Sequence, residues 1–239
     1  MKIDTEMIYN RDQKPKSNSF SKIRILLANN QRRLNTYCET WSSPPNDLLR
    51  DLERETHLKT LAPQMMSGHL QGRILSLISR MKQPLRILEI GTFTGYATLC
   101  LAEGLPADGE LITIEANAEM AYFIEKYKKL AGLEQQIRAI SGRAEEVIPQ
   151  LEETFDLVFI DAGKRDYHMH YDLIIDSVNP GGLILADNIL WSGKVLKPET
   201  EFDKDTRLLH AFNKKIHEDE RVKNIILPIR DGLMLIEKC

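Results

Sequence analysis

The sequence predicts an open α/β fold: a Rossmann-like, seven-stranded, mainly parallel sheet with an antiparallel C-terminal hairpin and helices on both faces. Three observations predict it. From Arg86 onward, short apolar runs alternate with helix-period segments. The first run, Ile87-Leu88-Glu89-Ile90, passes directly into Gly91-Thr92-Phe93-Thr94-Gly95-Tyr96, the way such a sheet builds a ligand crevice at the carboxyl end of its first strand. Near the C-terminus, two strand-like runs flank Arg230-Asp231-Gly232, a hairpin turn signal.

The elements follow in order. Residues 1–20 are polar, with Pro15 among Lys, Ser and Asn, and poor order is expected there. A helix is expected from Ser21 to about Tyr37. Ser43-Pro44-Pro45-Asn46 reads as a stop and a new helix start, capped by Asn46 or a neighbour. Leu48, Leu49, Leu52, Glu55 and Leu58 then keep helical spacing to about Lys59. The next helix, Ser67 to Lys82, carries Leu70, Ile74, Leu75, Leu77 and Ile78 on an apolar face and is ended by Pro84. Strands are predicted at Arg86–Ile90, Glu110–Glu115, Gln136–Ile140, Asp156–Ile160 and Gly182–Ala186. The helices between them are Tyr96–Gly104, Ala118–Ala131, Ala144–Leu151 and Asp166–Val178. A helix over Lys204–Asp219 and strands over Lys223–Ile229 and Leu233–Glu237 come last.

At 239 residues the chain is long enough for one sizeable core, and 42% hydrophobic with 28% charged residues is an ordinary globular composition. A net charge of −3 excludes a surface built throughout for a polyanion. The charge is uneven. Residues 1–33 carry Lys2, Arg11, Lys14, Lys16, Lys22, Arg24, Arg32 and Arg33 against Asp4, Glu6 and Asp12, a surplus of +5 that leaves about −8 on the rest. We read 1–33 as a basic, partly disordered N-terminal extension, a solvated tail in preference to a nucleic-acid arm. A single domain over 34–239 follows, with N-terminal helices at 34–84 and the sheet-bearing core at 85–239. Cys38, Cys100 and Cys239 are too far apart for a disulfide framework or metal cluster, and Cys100 sits in an apolar helical run as a core residue. This usage suits a reducing, cytoplasmic compartment. With no 18-residue apolar run and no signal-peptide core at the start, no membrane span is expected.

The chemistry concentrates at strand ends. Gly91 and Gly95 lie four apart, unlike the three-glycine loop of a dinucleotide site. Such a loop suits a ligand without a pyrophosphate, whose amino-acid tail needs close backbone approach; S-adenosylmethionine (SAM) is one. Glu115 ends the second strand, about twenty residues beyond the loop, where a carboxylate accepts ribose hydroxyls; an acidic residue before a helix start at Asn117 gives the same pattern. Glu89 inside a strand end is costly unless a ligand amino group or backbone N–H pairs it. Gly142-Arg143-Ala144-Glu145 follows the third strand, where an adenine ring would be flanked, and by itself is a plain helix start. The fourth strand ends in Phe159-Ile160-Asp161-Ala162-Gly163-Lys164 and the fifth in Leu185-Ala186-Asp187-Asn188. Parallel neighbours bring both ends to one rim, so Asp161, Asp187 and Asn188 offer two carboxylates and a carboxamide oxygen together. All-oxygen ligation suits Mg²⁺, Mn²⁺ or Ca²⁺. Strand-end turns also use Asp and Asn, but two converging ones favour a metal. Lys164, three residues past Asp161, becomes a base where surrounding positive charge lowers its pKa. His168 and His170, two apart on a helix, face different directions and are read as surface or packing residues. Trp191 either walls a flat aromatic acceptor or covers the sheet edge.

The runs Glu89–Tyr96, Phe159–Lys164 and Asp187-Asn188-Ile189-Leu190-Trp191-Ser192-Gly193 together resemble the cation-dependent, SAM-dependent O-methyltransferases of the caffeoyl-CoA and catechol O-methyltransferase type, over roughly Met65 to Lys238. The resemblance implies the class I methyltransferase fold and a set of contacts. Ser67, Glu89, Gly91, Tyr96, Ala97, Glu115, Ala144 and Asp161 would bind SAM. Asp161, Asp187 and Asn188 would ligate the cation, Mg²⁺ foremost, and Lys164 and Asp161 would be catalytic. Family members often have serine where Ala97 stands and aspartate where Gly163 stands, so those contacts are in question. The glutamate that orients a catechol's second hydroxyl falls, by count, on Ile225. The implied reaction transfers a methyl group to a phenolic or catecholic hydroxyl of a small molecule, by a homodimer. Two other readings stand beside it. Some members methylate a hydroxyl of modified uridine in tRNA, which the basic N-terminus supports modestly. A non-catalytic SAM-binding protein would have a broken ligand set, whereas Asp161, Lys164, Asp187 and Asn188 are all present. Residues 1–33 match nothing in the family.

Overall fold

The structure, a computed structural model, describes residues 33–239. The polar start and the expected helix up to residue 32 lie outside the described residues. The chain divides into two compact units, Met1–Pro44 and Pro45–Cys239. In the first unit residues 33–40 are helical, and the rings of Tyr37 and Trp41 stand 6.1 Å apart.

The second unit opens with α1 (Asp47–Lys59), started by Asn46, whose extended backbone lets its side chain accept from Leu49 N at 2.9 Å. Helix α2 (Gly68–Lys82) ends with Gln83 in the left-handed conformation ahead of Pro84. Its buried stripe is Gln71, Gly72, Leu75, Ser76 and Ser79, whereas Leu77, expected inside, is 59% exposed. The reason is close helix packing. A Cβ on Gly72 would come within 2.6 Å of the Tyr96 ring in α3 (Tyr96–Ala102), and Gly104 presses on Ser79 in the same way. Small residues set this interface, and an apolar-periodicity search overlooks them.

The strands are β1 (Arg86–Ile90), β2 (Glu110–Glu115), β3 (Ile137–Ser141), β4 (Phe155–Ile160), β5 (Val178–Ala186), β6 (Val222–Leu227) and β7 (Leu233–Lys238). They form one seven-stranded sheet in the order β3-β2-β1-β4-β5-β7-β6, with β7 antiparallel to both neighbours and the remaining pairs parallel. Strand β5 begins four residues earlier than expected, through a register shift opposite Phe155 and Leu157. Strand β6 stops before Pro228, which has no N–H for the ladder. The remaining helices are α4 (Ala121–Leu130), α5 (Ala144–Val147), α6 (Tyr167–Ile174) and α7 (Lys204–Glu218). Three expected helices are thus shorter, each with a 3₁₀ turn beside it: Ala118–Met120 before α4, Ile148–Gln150 after α5 and Ile175–Ser177 after α6.

Alternation along the strands fills both faces. Leu88, Ile112, Val158 and Ile184 pack with Tyr167, Tyr171 and Phe212 from α6 and α7, while Ile87, Leu111, Leu157 and Leu185 pack with Leu75, Leu99 and Phe123. Cys100 is buried, and no described cysteine is in a disulfide. Among the described residues no helix is long and apolar enough to cross a membrane.

Candidate active site

Main-chain bonds join the strand ends into one rim. Gly91 N donates to Ile114 O (2.9 Å), Asp161 N to Ile90 O (2.9 Å) and Asp187 N to Ile160 O (3.0 Å). Gly91, at φ +99°, is pressed against the end of β4, where a Cβ would stand 2.1 Å from the Asp161 carbonyl oxygen. Only glycine lets the loop approach so closely. The glycine loop and the acidic rim are therefore one site.

Glu89 is fully buried beneath the loop. The hydroxyls of Thr98 and Thr113 both donate to its Oε2, at 2.5 and 2.6 Å. Thr92 Oγ1 lies 2.5 Å from Thr113 Oγ1, and since the Thr113 proton goes to Glu89, Thr92 is the donor there. Glu89 Oε1 has no partner among the described residues. Burial pushes this carboxyl up to about 8; the two threonines pull it down, and the charges of Asp161 and Glu115 push it further up. An uncommitted buried acceptor at this place fits the ammonium group of an amino-acid ligand.

Glu115 accepts the Phe93 N–H at Oε2 (2.7 Å) and the Asn117 N–H at Oε1 (2.8 Å), which holds Phe93 at φ +50°. Each oxygen keeps a second lone pair for ligand hydroxyls. Ala144 is buried at the head of α5, Ala97 is buried in α3, and Ser67 is buried just before α2. The Tyr96 ring packs against Gly72 of α2, and its hydroxyl has no hydrogen-bond partner among the described residues.

On the acidic side, Lys164 Nζ donates to Asp161 Oδ1 (3.1 Å) and to the Tyr167 hydroxyl (2.8 Å). The Lys164 and Asp161 side chains are 14% and 17% exposed. Tyr167 in turn donates to the Asp187 carbonyl (2.9 Å), with Ile160 O at 3.2 Å. Burial, then the charges of Asp161 and Asp187, raise the Tyr167 pKa well above its ordinary value, so it stays neutral and braces Lys164 against both strand ends. Asp187 is 3% exposed. Its Oδ1 accepts the Asn188 N–H (2.8 Å), and no cationic side chain among the described residues forms a salt bridge with it. Burial, then the Asp161 charge, push its carboxyl up to about 6, against the opposing pull of Gln71 and Lys164. Two neighbouring carboxylates, one buried without a cationic partner, with Asn188 next in the chain, form a hard oxygen set that fits a divalent cation. Among the described residues no three His, Cys, Asp or Glu side chains form a metal-binding group.

Sequence reading missed the residues that brace this rim: Thr98, Thr113, Tyr167, Gln71, Arg230 and Asp231. Asn188, Trp191, Ser192 and Gly193 all have positive φ, and the β6–β7 turn fastens this segment. Ile189 N donates to Gly232 O (3.2 Å), Leu190 N to Asp231 O (2.9 Å), and Ser192 N to the Asp231 carboxylate. A Cβ on Gly232 would stand 2.4 Å from Leu190 Cγ. The Asp-Gly pair signalled a turn but carried no sign of what the turn touches. Ile225, where a catechol-orienting glutamate was sought, is an exposed β6 residue. His168 Nε2 lies 3.1 Å from Leu208 O and His170 is buried, both as packing residues. Trp191 is half-buried, with Lys194 Nζ 5.4 Å from its ring centre.

Known proteins resemble this chain in sequence and fold. The O-methyltransferase family model matches residues 39–239. A catechol O-methyltransferase from Niastella koreensis is 40% identical over 130 residues, 53% of this chain and 59% of that one. A probable caffeoyl-CoA O-methyltransferase 2 from Dictyostelium discoideum is 30% identical over 204 residues, 81% of this chain and 87% of that one. The crystal structure of an SAH-bound methyltransferase from Podospora anserina matches with a TM-score of 0.81 at 29% identity, covering 88% of this chain and 96% of that one. The chain belongs to the O-methyltransferase family and is a SAM-dependent O-methyltransferase.

Proposed function

We propose that the enzyme methylates a phenolic or catecholic hydroxyl of a small molecule, with a divalent cation held by Asp161, Asp187 and Asn188 and Lys164 as the base. One observation carries this reading: Asp161 touches the glycine loop at Gly91 while its carboxylate receives Lys164, and the next strand end brings in Asp187, which has no salt-bridge partner among the described residues. Glu89 Oε1 would receive the amino group of SAM, Glu115 would accept the ribose hydroxyls, and Ala144 would border the adenine. SAM, when bound, supplies an activated sulfonium methyl group. The cation, when bound, supplies positive charge that favours the anionic form of the acceptor. A phenol ionises near pH 10, so little nucleophile exists at neutral pH. Lys164, braced by Tyr167, takes the acceptor proton at Nζ in its uncharged form. The rest of the protein's contribution would be placement of the acceptor hydroxyl beside the methyl donor.

Lys164→Met tests the base. Its kcat should fall by about 10²- to 10⁴-fold at neutral pH, and the deficit should shrink toward pH 10, where the acceptor ionises unaided. A variant with the wild-type pH–rate profile removes Lys164 from this role.

A further inference from the structure

We infer that Thr56, on α1, is a positioning residue for SAM: through a buried hydrogen bond to Thr94 it holds the glycine loop in its binding shape. The inference rests on the reading above in which this loop receives SAM. The loop does not hold its own conformation. Gly91, Phe93 and Gly95 stand at φ +99°, +50° and +89°, and Phe93, not being a glycine, keeps that backbone only under outside restraint. Three consecutive residues receive the restraint. Thr92 Oγ1 is bonded to Thr113 of β2, the Phe93 N–H to Glu115 at the end of β2, and the Thr94 hydroxyl to Thr56. The first two ties come from the sheet; the third comes from a helix outside it.

Thr56 and Thr94 are both fully buried. The Thr56 hydroxyl donates to Thr94 Oγ1 at 3.0 Å, with Leu52 O at 2.8 Å as a second acceptor. The preceding residue fixes α1 itself. Glu55 Oε1 accepts from Lys59 Nζ (2.6 Å) and the Tyr122 hydroxyl (3.1 Å), and its Oε2 from Lys126 Nζ (2.5 Å) and the Tyr127 hydroxyl (2.7 Å). Tyr122, Lys126 and Tyr127 belong to α4, so α1 is fastened to α4 at residue 55 and to the loop at residue 56. When a loop is already held in shape, less ordering free energy opposes ligand binding. Loss of the Thr56 bond therefore appears in SAM affinity as well as in stability.

Calorimetric titration of the full chain with SAM tests this tie. Thr56→Val removes the hydroxyl at nearly constant shape and should weaken SAM binding about 3- to 30-fold, whereas Thr56→Ser, which keeps the donor, should bind close to the wild-type level. Ser79→Ala deletes another buried helix hydroxyl, which donates to Leu101 O at 2.6 Å. That variant should melt at a lower temperature with SAM affinity unchanged; a loss equal to that of Thr56→Val would mean general loosening and overturn the inference. In a Thr94→Val background Thr56→Val should weaken SAM binding no further, since both changes remove one bond, and additive losses would overturn the inference too. Wild-type affinity in Thr56→Val, with Gly91→Ala unable to bind SAM, overturns the inference alone. Wild-type affinity in Gly91→Ala removes the loop as the donor site, and the inference with it. Should Thr56→Val not fold, Thr94→Val against Thr94→Ser makes the same comparison from the loop side, and equal affinities there overturn the inference.

Discussion

Glu89 and Gly91 lie two residues apart, and each makes a prediction of its own. The Glu89 carboxyl is pushed from its ordinary 4.5 up to about 8, foremost by burial. The folded protein therefore keeps a proton that the unfolded chain has released between those values. An acid raised in this sense contributes stability that is complete below pH 4.5 and is lost as pH rises through 8. Denaturant unfolding of the ligand-free protein across this window should show a decline on the order of a few kcal/mol, abolished in Glu89→Gln. A wild-type profile as flat as the variant's contradicts the assignment. At Gly91 an added Cβ meets main-chain oxygen at 2.1 Å, whereas at Gly132, also at positive φ, it meets nothing within 4 Å. Gly132→Ala should cost only the conformational term of about 1 kcal/mol and leave SAM binding intact. Gly91→Ala should destabilise by roughly 3 kcal/mol or more and abolish SAM binding, because the loop cannot close on β4. Thermal melts and SAM titration of the two variants distinguish the cases.

Among the elements, the turn between β6 and β7 matters most beyond the strand ends. It holds Ile189, Leu190 and Ser192, and through them a segment with four positive-φ residues directly after Asp187. Asp231→Ala frees the Ser192 N–H and should raise the KM for the acceptor by about 5- to 100-fold, the loss of one charged acceptor. SAM affinity should stay put, and Asp231→Asn, which retains an acceptor oxygen, should recover much of the effect. An equal loss of SAM affinity would instead point to general loosening. Other elements were read unequally from the sequence. Strands β1 and β2 were located to the residue because each is a short run rich in β-branched and apolar residues that stops at a glycine or a carboxylate. The ends of the expected Ala144–Leu151 and Asp166–Val178 helices were not, because a 3₁₀ turn keeps nearly the helical period while changing its hydrogen bonds. The buried face of α2 was misread at Leu77 because Gly72, Ser76 and Ser79 pack by being small, which hydropathy does not register.

Across the whole molecule, parallel pairing converts separated motifs into one rim. Ile90 pairs with Ile160 and Ile160 with Ala186, so the residues that follow them emerge side by side. That much was legible, since each motif sits at the end of its own strand. The ties that close the site from above were not. Arg230 reaches Met66 and Gln71 across 164 and 159 residues, and no local pattern encodes contacts of that span. Sheet order brings β7 against β5, and the turn that leads into β7 thereby arrives over the rim. The central claim is that this rim works through a cation beside the methyl donor. The direct test follows SAH formation from SAM and a catechol acceptor by metal-stripped enzyme, in chelator and after Mg²⁺ is restored, with Asp187→Ala in parallel. Turnover should vanish in chelator and return with Mg²⁺, and Asp187→Ala should bind SAM yet stay inactive at every Mg²⁺ concentration. Undiminished methyl transfer in chelator would contradict the account.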